Sequence, residues 1–113
     1  MPYICHMKSE KTYSQMRKGV LELCILSIIS DAEVYSSDIL TTLKNADLLV
    51  VEGTIYPLLN RLKNENILSY RWEESTGGPP RKYFSLTEKG KSELAELKTA
   101  WMELNQSVNQ ILK

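Results

Sequence analysis

The clearest structural signal in the chain is Leu68-Ser69-Tyr70-Arg71-Trp72-Glu73-Glu74-Ser75-Thr76-Gly77-Gly78-Pro79-Pro80-Arg81-Lys82-Tyr83-Phe84-Ser85-Leu86. Leu68, Tyr70 and Trp72 alternate with Ser69, Arg71 and Glu73, the period of a half-buried strand. On that pattern Trp72 is expected in the core of the strand. Thr76-Gly77-Gly78-Pro79-Pro80 is a strong turn signal. A second strand, Arg81 to Leu86, follows it. The segment predicts a β-hairpin with a glycine-proline tip, with Arg81-Lys82 directly after the tip and Arg71 on the outgoing strand.

Three helical patterns precede the hairpin. Tyr13 to Ser30 is polar at its start and apolar nearly all round later, which predicts a helix buried on several sides. After a turn at Asp31-Ala32-Glu33, Ser36 or Ser37 offers an N-cap for a second helix with Ile39, Leu40 and Leu43 inward. The Asn45-Ala46-Asp47 cluster ends it. Leu48 to Val51 predicts a small strand. A third helix is expected to start close to Gly53, because Pro57 belongs in a helix's first turn. Ile55, Leu58, Leu59 and Leu62 form its apolar face. Pro57, Asn60 and Asn64 lie opposite, flanked by Thr54, Tyr56, Arg61 and Lys63.

After the hairpin, Thr87 predicts the cap of a last helix running to the C-terminus. Leu94, Leu97, Trp101, Leu104, Val108 and Ile111 are spaced 3, 4, 3, 4, 3, a heptad seam. A helix of about 26 residues spans roughly 39 Å, more than a compact domain of this size can cover. The seam is therefore expected to meet the same helix of a second copy about a two-fold axis.

Three helices and a hairpin make the winged helix-turn-helix layout. The expected fold is mainly α with a small β-hairpin: a flexible segment at 1–12, a winged helix-turn-helix domain at 13–86 and a dimerisation helix at 87–113. The third helix is the candidate DNA recognition helix. Asn60 and Asn64 suit base edges, and Arg61 and Lys63 suit phosphates. Thr54 and Tyr56 offer hydroxyls to phosphate oxygens, beside Pro57 on the same outer surface. Arg81 and Lys82 suit a phosphate backbone or a minor groove. A dimer would read a near-palindromic operator in double-stranded DNA, with half-sites about one turn (~34 Å) apart.

Charge qualifies this expectation. The chain has 113 residues, with 14 basic and 14 acidic side chains. DNA-binding domains are usually basic, but here only residues 53–86 have an excess, five basic against three acidic. Non-specific affinity should be modest, leaving geometry and dimerisation to supply specificity. A winged-helix protein-interaction module without DNA binding is the competing expectation.

An enzyme is not expected. The only histidine is His6, and no nucleophile has a base partner in a motif. Gly77-Gly78 lies in a hairpin rather than between a strand and a helix, so it is no phosphate cradle. Cys5 and Cys24 define neither a disulfide framework nor a metal spacing, and Cys5-His6 has nothing nearby to complete a ligand set. No metal or cofactor is expected. No stretch reaches the ~18 apolar residues of a membrane span and no signal peptide is apparent, so a cytoplasmic location is expected.

Glu52-Gly53-Thr54-Ile55-Tyr56-Pro57-Leu58-Leu59-Asn60-Arg61-Leu62 resembles the P-G-T-[LI]-Y-P-x-L-x-R-L run of the PadR family of bacterial transcriptional regulators. Gly77-Gly78-Pro79-Pro80-Arg81-Lys82-Tyr83-Phe84-Ser85-Leu86-Thr87-Glu88-Lys89-Gly90 resembles that family's wing and the start of its final helix. The similarity runs from about Arg17 to the C-terminus, and the single last helix resembles the short subfamily. The resemblance implies a dimeric repressor, often relieved by a small effector, with DNA contacts from the second helix, third helix and wing. Two departures stand out. Glu52 replaces the usual proline. Tyr35-Ser36-Ser37 replaces a tyrosine-glycine-tyrosine, so Ser37 occupies the place of an aromatic DNA contact. Short members include ones that bind flat aromatic compounds between the last helices. Trp101, with Leu97 and Leu104, is thus either dimer-core packing or the wall of a site for a planar aromatic effector.

Overall fold

The computed structural model describes residue 12 and residues 16–30, 32–48, 50 and 52–112. The segment 1–12, with Cys5 and His6, lies outside the described residues apart from Thr12. In chain order the elements are α1 (Leu21–Ile29), β1 (Val34–Tyr35), α2 (Ser36–Asn45), α3 (Glu52–Asn64), β2 (Leu68–Glu73), β3 (Arg81–Leu86) and α4 (Glu88–Ile111).

The first helix is shorter than expected. Residues 16–18 are helical, then the chain turns at Gly19 and Val20 before α1 begins. Glycine is a poor helix former, and a long apolar pattern cannot report such a break. Residues 13–15 lie outside the described residues. In α1, Leu21, Ile25, Leu26 and Ile29 are buried.

Between α1 and α2 lies β1, which the sequence did not signal. Val34 and Tyr35 pair with Phe84 and Tyr83 of β3, giving an antiparallel sheet in the order β1-β3-β2. This strand also explains why the expected serine cap is missing. The extended Tyr35 is itself the N-cap, no side chain bonds there, and Ser36 is already helical. α2 buries Ile39 and Leu43 and ends where expected, with Asp47 in the left-handed region at φ 63°. The strand expected at 48–51 does not form at Leu48 or Val50; residues 49 and 51 lie outside the described residues.

α3 starts at Glu52, one residue from the expected start near Gly53, but this puts Pro57 inside the helix and not in its first turn. A proline inside a helix costs roughly 3 kcal/mol. Burying Ile55, Leu59 and Leu62 returns roughly 1.5–3 kcal/mol each, so packing wins. The missing N–H would have served the Gly53 carbonyl, and Gly53 is exposed to water.

The hairpin has the register Leu68↔Leu86 to Glu73↔Arg81. Its core contribution is small: in β2 only Leu68 is buried. Trp72, expected inside, is 60% exposed. The hairpin meets the core through Leu68 of β2 and Phe84 of β3, and Trp72, paired with Lys82 beyond them, does not reach it.

Thr87 caps α4 as expected, its Oγ1 accepting from the Gly90 N–H at 2.9 Å and donating to the Asn66 carbonyl at 2.6 Å. The seam of α4 splits. Leu94, expected at a dimer interface, is 6% exposed and belongs to the protomer's own core, and Leu97 packs against that core. The first half of α4 lies against α1 and β3. The distal half leaves the domain, with Leu104 59% and Ile111 76% exposed. The radius of gyration, 16.1 Å, exceeds the ~13 Å of a compact chain of this length.

Candidate nucleic-acid interface

The outer surface of α3 is as expected. Thr54, Tyr56, Pro57, Asn60, Arg61, Lys63 and Asn64 are all exposed, while Ile55, Leu59 and Leu62 anchor the helix beneath them. Ser37 is exposed in the first turn of α2, and Arg81 is exposed at the start of β3.

Not all of these residues share one place. Tyr56, Pro57, Asn60 and Lys63 of α3 face Lys82 and the hairpin rings Tyr70, Trp72 and Phe84 across a cleft of about 650 Å³. Tyr35, Ser36, Leu59 and Pro80 complete its lining, which contains no carboxylate. Ser37, Thr54, Arg61, Asn64 and Arg81 lie outside this lining.

The cations divide into paired and unpaired groups. Arg61 donates from Nη2 to Glu22 of α1 and from Nη1 to Glu65, both at 2.9 Å. Arg71 grips Glu33 through Nε (2.7 Å) and Nη2 (2.8 Å), and Glu73 through Nη1 (2.8 Å). Hydrogen bonds donated to Glu22 and Glu33 respectively push the two guanidinium pKa values further up. The Arg71 hydrogen bond holds the Glu33 carboxyl below its ordinary range. Lys63, Lys82 and Arg81 have no carboxylate partner among the described residues. Instead they lie over rings: Arg81 at 5.0 Å from Tyr35, Lys63 at 5.5 Å from Tyr70, and Lys82 at 4.3 Å from Tyr70 and 5.0 Å from Trp72.

Reasoning from sequence missed this aromatic wall, because alternation assigned Tyr70 and Trp72 to a core. It also missed Glu22 as the partner of Arg61. The two are 39 positions apart, so no local pattern links them.

A second concavity, about 380 Å³, shares no lining residue with the cleft. Leu23, Cys24 and Ile28 of α1, Leu43 and Ala46 at the end of α2, Leu48, and Trp101 of α4 line it, and its walls are almost wholly apolar. Burial pushes the Cys24 thiol pKa up. Trp101 is 42% exposed there.

Three helices, a three-stranded sheet with a projecting hairpin, and cations gathered between hairpin and third helix define a winged-helix protein. The profile of the transcriptional regulator PadR-like family matches residues 25–96. The chain is similar to the crystal structure of a PadR-like transcription factor from Bacteroides fragilis, with 58% identity over 90% of this chain and 99% of that one, and a TM-score of 0.75. A PadR-like transcriptional regulator from Bacillus cereus is 44% identical over 88% of this chain and 98% of that one, with a TM-score of 0.79. Bacillus subtilis PadR, solved in complex with operator DNA, is 28% identical over 68% of this chain and 45% of that one, with a TM-score of 0.63. This protein belongs to the PadR-like transcriptional regulator family. The family's members are transcriptional regulators rather than enzymes. Among the described residues no helix is long and apolar enough to cross a membrane.

Proposed function

We propose that this chain is a cytoplasmic, homodimeric, sequence-specific DNA-binding regulator that represses from a near-palindromic operator. The observation that carries this reading is the cleft between α3 and the hairpin. Lys63 and Lys82 meet there without a carboxylate, in a chain whose net charge is zero. Concentrating unpaired cations on one surface is what a polyanion requires. Asn60 borders the cleft and Asn64 follows one turn on, in reach of base edges. Ser37, Thr54 and Tyr56 supply hydroxyls, Pro57 shapes the surface between them, and Arg81 extends the cationic surface along the hairpin. The operator complex of the Bacillus subtilis relative supports the same partner.

Dimerisation is supported by complementary apolar surfaces. Trp101, Leu104, Val108 and Ile111 are exposed on distal α4, and the apolar groove beside Trp101 is open. The distal helix of a second copy fits this groove, continuing a seam whose first residues, Leu94 and Leu97, hold α4 to its own domain. Trp101, flanked on the seam by Leu97 and Leu104, is the candidate wall for a planar aromatic effector that relieves repression. The matching test is quenching of Trp101 by ligands that release DNA, lost in Trp101→Phe.

The function is tested by selecting from random duplexes with the purified protein at two salt concentrations. The expected result is an enriched inverted repeat with half-sites about one turn apart, bound more weakly at high salt. In the same assay, neutralising Arg61, Arg81 and Lys82 together abolishes binding. No enrichment at either salt would overturn DNA binding and leave a protein-interaction module.

A further inference from the structure

The cleft contains an arrangement that DNA binding in general does not require. Two ammonium groups from different elements converge on one ring: Lys63 of α3 at 5.5 Å and Lys82 of β3 at 4.3 Å from the Tyr70 centroid. Like charges gathered this way repel, and the cleft lining offers no carboxylate to separate them. One anion held by both would turn that repulsion into attraction.

Lys82 is also placed in advance. Its ammonium lies 5.0 Å from Trp72 and 5.9 Å from Phe84 as well as over Tyr70. Tyr70 in turn meets Trp72 and Phe84 edge-on, at 6.2 and 5.9 Å between centroids. A free lysine has large rotamer entropy to lose on binding. Resting it on three rings removes part of that loss beforehand. The arrangement also gives the exposed Trp72 a purpose that core packing does not.

We infer that Lys63 and Lys82 close on one and the same phosphate of a DNA strand laid between α3 and the hairpin, with Tyr70, Trp72 and Phe84 as the platform that positions Lys82. The inference rests on the DNA-binding reading above and adds the subsite. A cleft of about 650 Å³ has room for a nucleotide's phosphate and sugar. The grip ties the hairpin to the recognition helix through a single group of the operator, so both are set in register by one contact.

The test replaces the phosphates of the selected operator one at a time by uncharged methylphosphonate. Lys63→Gln and Lys82→Gln each weaken binding to the unmodified duplex by roughly tenfold, the size of a charged hydrogen bond. The inference expects one position per half-site at which the methylphosphonate costs a similar factor and at which neither substitution weakens binding further. If the two substitutions are silenced at two different positions, or at none, the shared grip is wrong while DNA binding stands. If the wild type binds no duplex, the DNA reading falls and the grip with it.

The platform has its own readout. Tyr70→Leu and Trp72→Leu lower affinity but leave the salt slope unchanged, because no charge is removed. In Trp101→Phe protein, Trp72 is the only tryptophan left, and its fluorescence changes on addition of operator. If millimolar inorganic phosphate alone produced the same change and displaced the duplex, the cleft would be a site for a free anion, and the assignment to the DNA backbone would be overturned.

Discussion

Arg61 holds two carboxylates at once, Glu22 on α1 and Glu65 just past the end of its own helix. A guanidinium so engaged fastens α3 to α1 and has little charge left for a phosphate. Its partners therefore separate it from Arg81, which is basic, exposed and without a carboxylate among the described residues. Arg61→Gln should weaken operator binding while leaving the salt slope nearly unchanged, and Arg81→Gln should lower the slope by about 0.9. Exchanging the charges, Glu22→Arg with Arg61→Glu, should restore only part of the affinity that Arg61→Glu alone removes, because Glu65 is left facing a like charge. An Arg61→Gln slope that falls as far as that of Arg81→Gln would make Arg61 a phosphate contact after all. Exposure of the α3 residues was legible from helical periodicity. The commitment of Arg61 was not, because periodicity gives the direction of a side chain and not its distant partner. Gly90 was equally silent. A Cβ there would run into the backbone carbonyl of Ile67, so α4 can cross the α3–β2 junction only with glycine at that point. Gly90→Ala should cost about 1–3 kcal/mol, read as a lower urea midpoint at unchanged slope.

The helices and the hairpin were legible because each has its own local punctuation: Thr87 at a cap, Asn45-Ala46-Asp47 at a stop, Gly77-Gly78-Pro79-Pro80 at a tip. β1 has none. Two residues make no period, and Val34–Tyr35 is a strand only because β3 lies beside it. Thr87 does more than its position implied, since its hydroxyl both accepts from Gly90 and donates to the Asn66 carbonyl. Thr87→Ala should therefore cost about 1–2 kcal/mol, the upper part of the range for a cap, and Thr87→Ser should recover most of it in thermal melts. The Arg71–Glu33 pair joins β2 to the segment entering β1. Because Glu33 is held below its unfolded value, its stabilising contribution is present above the ordinary glutamate range and is lost as pH falls through the lowered folded value. Glu33→Gln should lose that acid-limb contribution. Urea midpoints of the two proteins should differ at neutral pH and converge in acid, whereas a constant difference would show that the pair is not the cause.

The heptad spacing of α4 was plain in the sequence, but spacing alone could not say where the helix parts from its own domain. Leu94 is in the core and Leu104 is in solvent, so the seam serves two purposes in succession. With zero net charge and few unpaired cations, a single winged helix has little electrostatic attraction to draw on, and two domains on one duplex must supply the affinity. Replacing Leu104 and Val108 together by serine touches only exposed side chains, so the fold should survive and the dimer should not. Sedimentation should then give a monomer, and operator affinity should fall by roughly 10²–10⁴, the range that linking two binding events supplies. Cys24 reports the same event chemically. It lines the apolar groove proposed to receive the partner's helix, so in a Cys5→Ser background its alkylation should be slow in the dimer and faster in the serine variant. The raised thiol pKa keeps both rates low at neutral pH, which makes the ratio the quantity to read. Equal rates with a monomer in the ultracentrifuge would mean that the dimer uses distal α4 but leaves this groove open. A dimer that persists in the serine variant would move the interface away from α4 altogether.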